Sequence, residues 1–331
     1  MKKLLCVTLC ILMVVSMVGC TGGKEESLKF GLGVYTEVSK AANAEEDTDG
    51  QGKTTSNFAV VTVDAAGKIV ACQIDTADFT VAYTADGKAV ASDSFATKYE
   101  LGDNYNMKAY GGSALEWYEQ ADAFETVVCG KTLDEVKALV AEGNKGTDEV
   151  INAGCTITVD AFVRAVEKAY NNAVASEATA SATLKLAAYT QQSCADATEE
   201  KDGQNQLETT FVAAAVDAEG KVVAFASDCV QVKFTFDANG ASTYDLSKAV
   251  VSKKEAGANY GMSQYGADLN GDGVVKEWNE QAAAFDAACI GKTVAEIGSL
   301  MNADTYPVAD LQTAGCTISV NGFVKAASKL K

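Results

Sequence analysis

The stretch "FAVVTVDAAGKIVACQID", Phe58–Asp75, carries two apolar runs around a short polar turn. Ala59–Val63 and Lys68–Ile74 are rich in β-branched residues, and D-A-A-G between them predicts a β-hairpin. A third strand is expected around Thr80–Tyr83, running into the turn A-D-G. From Glu116 to Val128 the period changes. Trp117, Ala121, Phe124 and Val128 recur at helical spacing. Gly130-Lys131-Thr132 stops that helix, and Thr132 with Glu135 makes a T-x-x-E capping box for the next. A last amphipathic helix is expected over Val159–Ala173. Strands first and helices last predict an α+β domain with an antiparallel sheet and C-terminal helices.

The same order of patterns returns later in the chain. Phe58–Asp75 matches "FVAAAVDAEGKVVAFASD", Phe211–Asp228; "NYNMKAYG" matches "NYGMSQYG", "EWYEQADAF" matches "EWNEQAAAF", and "GKTLDEV" matches "GKTVAEI". A repeat this long is a duplicated domain and not a solenoid. The expected organisation is a leader over 1–19, a tether over 20–27, one domain over 28–173, a linker over 174–182 and a second domain over 183–331. The small residues of Asn171–Ala182 read as a flexible joint. "AANAEEDTDGQGK" and "ADATEEKDGQNQ" stand at one place in the two copies and read as solvated loops.

Composition narrows the chemistry. About half of the 331 residues are hydrophobic and there is a single proline, Pro307, which is a globular composition. The net charge of −18 argues against nucleic acid and anionic lipid headgroups as partners. There is no histidine, which removes Ser-His-Asp triads, Cys-His pairs, haem with a histidine ligand and the usual zinc sites. Carboxylate pairs remain possible, and none stands out from the acidic background.

The N-terminus supplies an address. "MKKLLCVTLCILMVVSMVGC" has two lysines, an apolar run from Leu4 to Val18, and Gly19 directly before Cys20. That run is short for a membrane span and is flanked like a signal peptide. A small residue before cysteine at its end resembles a bacterial lipobox, which implies lipidation of Cys20 and a place on the extracytoplasmic face of a cell membrane. Seven further cysteines follow, an odd number that cannot all pair within the chain.

Two motifs carry candidate chemistry. In the second copy alone, "DLNGDGVVKEWNE" places Asp268, Asn270 and Asp272 at the first, third and fifth positions of a loop with glycine at the sixth. That is how a Ca²⁺-binding EF-hand loop begins, although Asn279 holds the position of the bidentate carboxylate. In both copies, "AGCTIT" and "AGCTIS" precede the last helix. Thr158 and Ser319 are expected to cap that helix, leaving Thr156 and Thr317 as hydroxyls beside a helix N-terminus that favours a phosphate. Trp117, Phe124, Trp278 and Phe285 read as core, while Tyr105, Tyr110, Tyr260 and Tyr265 sit in glycine-rich loops able to contact a ligand.

"AGCTIT…DAFVRAVEKA" resembles the S-G-A-T-I-T end of the FMN-binding domain, found in flavoprotein subunits of Rnf- and Nqr-type redox pumps and in flavinylated surface lipoproteins. The resemblance implies FMN joined by phosphoester to Thr156 and Thr317, placed there by a separate flavin transferase. Gly154 and Gly315 would be the turn glycines, with Cys155 and Cys316 standing where alanine is usual. It implies a membrane-anchored electron carrier working with a redox partner protein or an external acceptor, and no side-chain catalysis. The alternative is a non-catalytic lipoprotein that binds a ligand or partner on the same duplicated scaffold and carries no flavin.

Overall fold

The computed structural model describes residues 25–264 and 275–330. Cys20, with the lipid anchor it would carry, and Asp268, Asn270, Asp272 and Tyr265 lie outside the described residues. The fold is α+β with antiparallel sheets. The first copy contains strands β1 (Lys29–Ala42), β2 (Gly50–Val63), β3 (Ile69–Tyr83) and β4 (Ala89–Val90). Helices α1 (Lys98–Leu101), α2 (Met107–Gly111), α3 (Trp117–Val128), α4 (Leu133–Lys137), α5 (Asp148–Ala153) and α6 (Asp160–Asn171) follow. After β5 (Val174–Ala175) the second copy repeats the order with β6 (Thr183–Ala195), β7 (Gly203–Val216) and β8 (Val222–Phe236). Its helices are α7 (Lys253–Ala256), α8 (Trp278–Cys289), α9 (Ala309–Thr313) and α10 (Asn321–Ala327).

The sheet orders are β4-β3-β2-β1-β5 and β6-β7-β8. Each long hairpin closes as its sequence predicts. Asp64 Oδ1 accepts from Lys68 N–H at 2.8 Å, and Asp217 Oδ1 accepts from Lys221 N–H at 2.8 Å. The strands are longer than the apolar runs suggest. Thr80–Tyr83 is no separate third strand but the far end of β3, because β2 pairs with β3 in unbroken register from Thr62 back to Gly50. The acidic loop is correspondingly shorter, with Gly50 and Gly52 inside β2. Those glycines make room for rings: a β-carbon on either would collide with Tyr83 or Phe234.

Period-two alternation sorts the apolar residues onto two faces. Ala59, Val61 and Val63 face a core built with α3, α5 and α6, as Val212, Ala214 and Val216 do in the second copy. Phe58 and Val60 point the other way, into a third core shared with Phe211, Ala213 and Ala215. The two sheets therefore pack face to face, β1 along β8 and β3 along β6, with helices on both outer sides. Phe58 and Phe211 meet at its centre, ring centroids 4.9 Å apart. Buried Asn205 adds a polar tie, donating from Nδ2 to the carbonyls of Ala82 and Val90, each at 3.1 Å.

The joint between the copies is fixed rather than loose. Val174 and Ala175 pair with Phe30 and Lys29, Leu28 N–H donates to the Ala178 carbonyl at 2.8 Å, and Ala178 is buried. The open edge of β1 takes up the segment that was expected to be a flexible joint. Among the described residues no helix is long and apolar enough to cross a membrane, and the seven cysteines are free thiols, five of them buried.

Candidate functional site

The repeated turn begins where a short helix stops. Helix α5 ends at Gly154, whose φ of 115° is left-handed and lets its N–H reach the Ile151 and Val150 carbonyls. Cys155 N–H then donates to the Val150 carbonyl at 3.1 Å, turning the cysteine side chain into the core. The second copy matches: Gly315 has φ 102°, and Cys316 N–H donates to the Leu311 carbonyl at 3.1 Å. Both thiols are buried, and burial pushes Cys155 up to about 11 and Cys316 up to about 12. They are neutral packing groups and face away from the threonines' surroundings.

The next residue is held by a side chain from another helix. Gln120, fully buried on α3, accepts at Oε1 from Thr156 N–H at 2.8 Å and from Thr156 Oγ at 3.0 Å. Gln281 on α8 does the same for Thr317 at 2.8 and 2.9 Å and adds Ile318 N–H at 3.1 Å. Each amide is pinned from its other end: Gln120 Nε2 donates to Ser113 Oγ at 2.9 Å, and Gln281 Nε2 to the Lys276 carbonyl at 2.9 Å. The outcome is a threonine of fixed orientation, exposed in the first copy and half-buried in the second.

Thr158 and Ser319 stand one residue before the N-caps of the last helices, and Ser319 Oγ accepts a long bond, 3.5 Å, from Asn321 N–H. The N-cap positions are Val159 and Val320, without a side-chain bond. Backbone bonds take over: Val159 N–H donates to the Asn144 carbonyl at 2.8 Å and Val320 N–H to the Thr305 carbonyl at 3.0 Å. Ser319 Oγ also turns to the Thr305 carbonyl, at 3.1 Å. Asn144 and Thr305 are both left-handed, with φ 63° and 68°, a conformation that costs a β-branched threonine more than it costs an asparagine. Asp160 sits in the first turn of α6 and opposes an anion there, whereas the first turn of α10 carries no acid.

The four aromatic residues expected in the core lie there. Trp117 and Phe124 pack on Phe162, and Trp278 and Phe285 on Phe323. Tyr105 and Tyr260 lie under lysines, with Lys98 Nζ 5.0 Å and Lys253 Nζ 5.3 Å from the ring centroids. Tyr110 is 88% exposed. The glutamines are what sequence reasoning missed. Their signal was present, since Gln120 and Gln281 fall beside Ala121 and Ala282 on the buried stripe of α3 and α8.

The threonine turns fit a phosphoester in two respects. Each hydroxyl stands at a turn whose preceding side chains are absent or turned inward. In the second copy the Lys276 ammonium lies so close over Gly315 that a β-carbon there would collide with it, which places a cation two residues before Thr317 in the same turn. The first copy has Leu115 in that position, 3.1 Å from a β-carbon on Gly154.

Sequence reasoning also missed two buried clusters of charge. Asp228, Lys254 and Asp286 line a cleft of about 760 Å³ between the copies, and Asp75 and Glu125 line one of about 390 Å³. Among the described residues no group of three or more histidine, cysteine, aspartate or glutamate side chains is arranged to hold a metal ion.

Comparison with known proteins adds one partial likeness. A chlorophenol reductase of Desulfitobacterium hafniense is 35% identical over 121 residues, 31% of this chain and 37% of that protein. The chain thus spans little more than a third of that relative's length. No protein-family model matches the chain, and no solved structure matches it.

Proposed function

We propose that the protein is a membrane-anchored, extracytoplasmic electron carrier that holds FMN by phosphoester at Thr156 and Thr317. The observation that carries this reading is the repeated presentation of one hydroxyl. Each threonine is fixed by two hydrogen bonds to a buried glutamine, two residues after a left-handed glycine. A capping turn alone calls for none of this, because neither threonine caps a helix. Resemblance of the motif to the FMN-binding domain points the same way.

The chain's own part is to hold and orient. Gln120 and Gln281 fix the threonine rotamers, so that an incoming phosphoryl group meets Oγ from the solvent side. Gly154 and Gly315 make the left-handed turn that presents each threonine, and Lys276, lying over Gly315, offsets phosphate charge at the second site. FMN, when bound, supplies the electron chemistry; no acid, base or nucleophile from the chain is required. The partners implied are a flavin transferase, a membrane redox protein or external acceptor, and the bilayer through lipidated Cys20. The cleft of about 760 Å³ favours a second reading, a ligand-binding lipoprotein without flavin.

Intact mass separates the two. Co-expression with a lipoprotein-flavin transferase should add two FMN units, one lost in Thr156→Ala and the other in Thr317→Ala. Unchanged mass and no flavin absorbance would remove the carrier reading in favour of the binding lipoprotein.

A further inference from the structure

The duplication provides an internal comparison for the two buried charge clusters. In the second copy the ammonium of Lys254 sits between the Ser227 carbonyl at 2.9 Å and Asp286 Oδ2 at 3.0 Å. Asp286 also accepts from Ser227 N–H at 3.2 Å. The helix acid and the outward strand carbonyl together define an ammonium site, and a lysine of the chain fills it.

The first copy keeps the site and loses the cation. Ile74 stands for Ser227, and its N–H donates to Glu125 Oε1 at 2.6 Å. A strand residue turns its N–H and C=O to one side, so the Ile74 carbonyl faces the same space. Tyr99 replaces Lys254, and its ring lines the cavity of about 390 Å³ in front of these acceptors. Asp75, 6% exposed, lines it too. Lys185 and Lys329 form the opposite wall. Lys329 pairs with Glu100 at 2.9 Å, and among the described residues neither lysine pairs with Asp75 or Glu125. Burial pushes Asp75 up to about 7 and Glu125 well above the carboxylate range, as for acids without a counter-charge.

We infer that this cavity binds a small primary ammonium compound, whose nitrogen takes the place that Lys254 Nζ occupies in the second copy. The ammonium donates to Glu125 and to the Ile74 carbonyl, with the Tyr99 ring as an aromatic wall beside it. A bare divalent ion is a poor match, since among the described residues no three carboxylates are arranged to ligate a metal, and Glu100 is taken up by Lys329. The inference is independent of the flavin reading, because Thr156 and Gln120 do not line this cavity.

The test is calorimetric titration of the full chain with n-butylammonium at physiological ionic strength, with tetramethylammonium as a cation that has no N–H to donate. Wild type should bind n-butylammonium, Glu125→Gln should weaken binding about tenfold or more, and Tyr99→Lys should abolish it by installing the second copy's own cation. Tyr99→Lys should also melt no lower than wild type, which separates site filling from misfolding. No binding by wild type would overturn the inference. So would equal binding by all three proteins, or tetramethylammonium binding as well as n-butylammonium, since either marks general attraction to an acidic surface.

Discussion

The two copies differ most instructively where they preserve a contact with different residues. In each, a lysine after the sheet lies over a tyrosine and a tryptophan: Lys98 over Tyr105 and Trp117, Lys253 over Tyr260 and Trp278. In the first copy that lysine pairs with Asp78 on β3, in the second with Glu208 on β7. Those acids occupy one cross-strand pair, Thr55 opposite Asp78 and Glu208 opposite Gln231. The charge has changed strands and the ion pair has stayed. At the 99/254 position the opposite happened: the acceptors stayed and the cation did not. The lesson is that the lysine clamp is tied to the sheet's own stability, whereas the helix-to-strand ammonium site tolerates two occupants.

The largest expected effect tests whether the copies are separate units at all. Phe58→Ala or Phe211→Ala removes a fully buried ring from the core that both sheets share, at a cost of about 3–5 kcal/mol. Each copy holds one tryptophan, so Trp117→Phe and Trp278→Phe variants report on the copies separately in denaturant. Both probes should shift together when either phenylalanine is cut. A shift confined to the mutated copy would break the picture of one cooperative core.

Much of each copy was legible because its signals are local. The D-A-A-G hairpin, helix α3 and the Thr132/Glu135 box need only neighbours within four residues, and all three form. Strands β1 and β6 went unread. In β1 the alternation is interrupted by Gly31 and Gly33, which are needed where α6 packs so closely that a β-carbon would strike the Ala169 backbone. The continuous run of Phe58–Val63 already indicated burial on both faces, but not what covers each one. The charged sites were invisible for a different reason. Glu125 reaches Ile74 across 51 positions and Asp286 reaches Ser227 across 59, distances that no spacing rule encodes. Gln120 and Gln281 were readable as polar residues on an apolar stripe; their partners 36 positions on were not.

The glutamines give the next contrast. Gln281→Leu strands two backbone N–H groups and a hydroxyl, whereas Gln120→Leu strands one N–H and a hydroxyl on a more exposed threonine. Chemical denaturation should show losses of about 2–3 kcal/mol and about 1–2 kcal/mol respectively. Equal losses would mean that the Ile318 bond adds nothing and that the two cradles are energetically alike.

A slope against pH compares the acids. Burial raises Asp75 to about 7, opposed by bonds from Thr97, Tyr99 and Thr76 and reinforced by Glu100; Asp228 rises less, to about 6, with Lys254 nearby to favour its charge. A carboxyl whose folded value is raised binds more protons folded than unfolded, so its contribution is present at low pH and lost as pH climbs through its folded value. Glu125, Glu100, Tyr99, Lys185 and Lys329 face the Asp75 cavity as well, and Glu125 adds to the slope in the same sense. Wild type should therefore lose stability between about pH 4 and about pH 7. Asp75→Asn should flatten that fall more than Asp228→Asn does. The reverse order in melting temperatures across that range would show that Lys254 fails to offset its acid.

The smallest effect concerns the turn glycines. Alanine at a left-handed position costs roughly 1 kcal/mol, and Gly154 and Gly315 share that conformation, so backbone strain alone predicts equal losses. Their surroundings differ. A methyl on Gly154 meets Leu115 at a tight but adjustable 3.1 Å, whereas a methyl on Gly315 must displace the Lys276 ammonium from the turn that carries Thr317. Gly315→Ala should then cost more than Gly154→Ala by a few tenths of a kcal/mol at low salt, and the excess should shrink as salt screens the displaced charge. A salt-independent excess would assign the difference to packing, and Lys276 would lose its claim to act on the second threonine by charge.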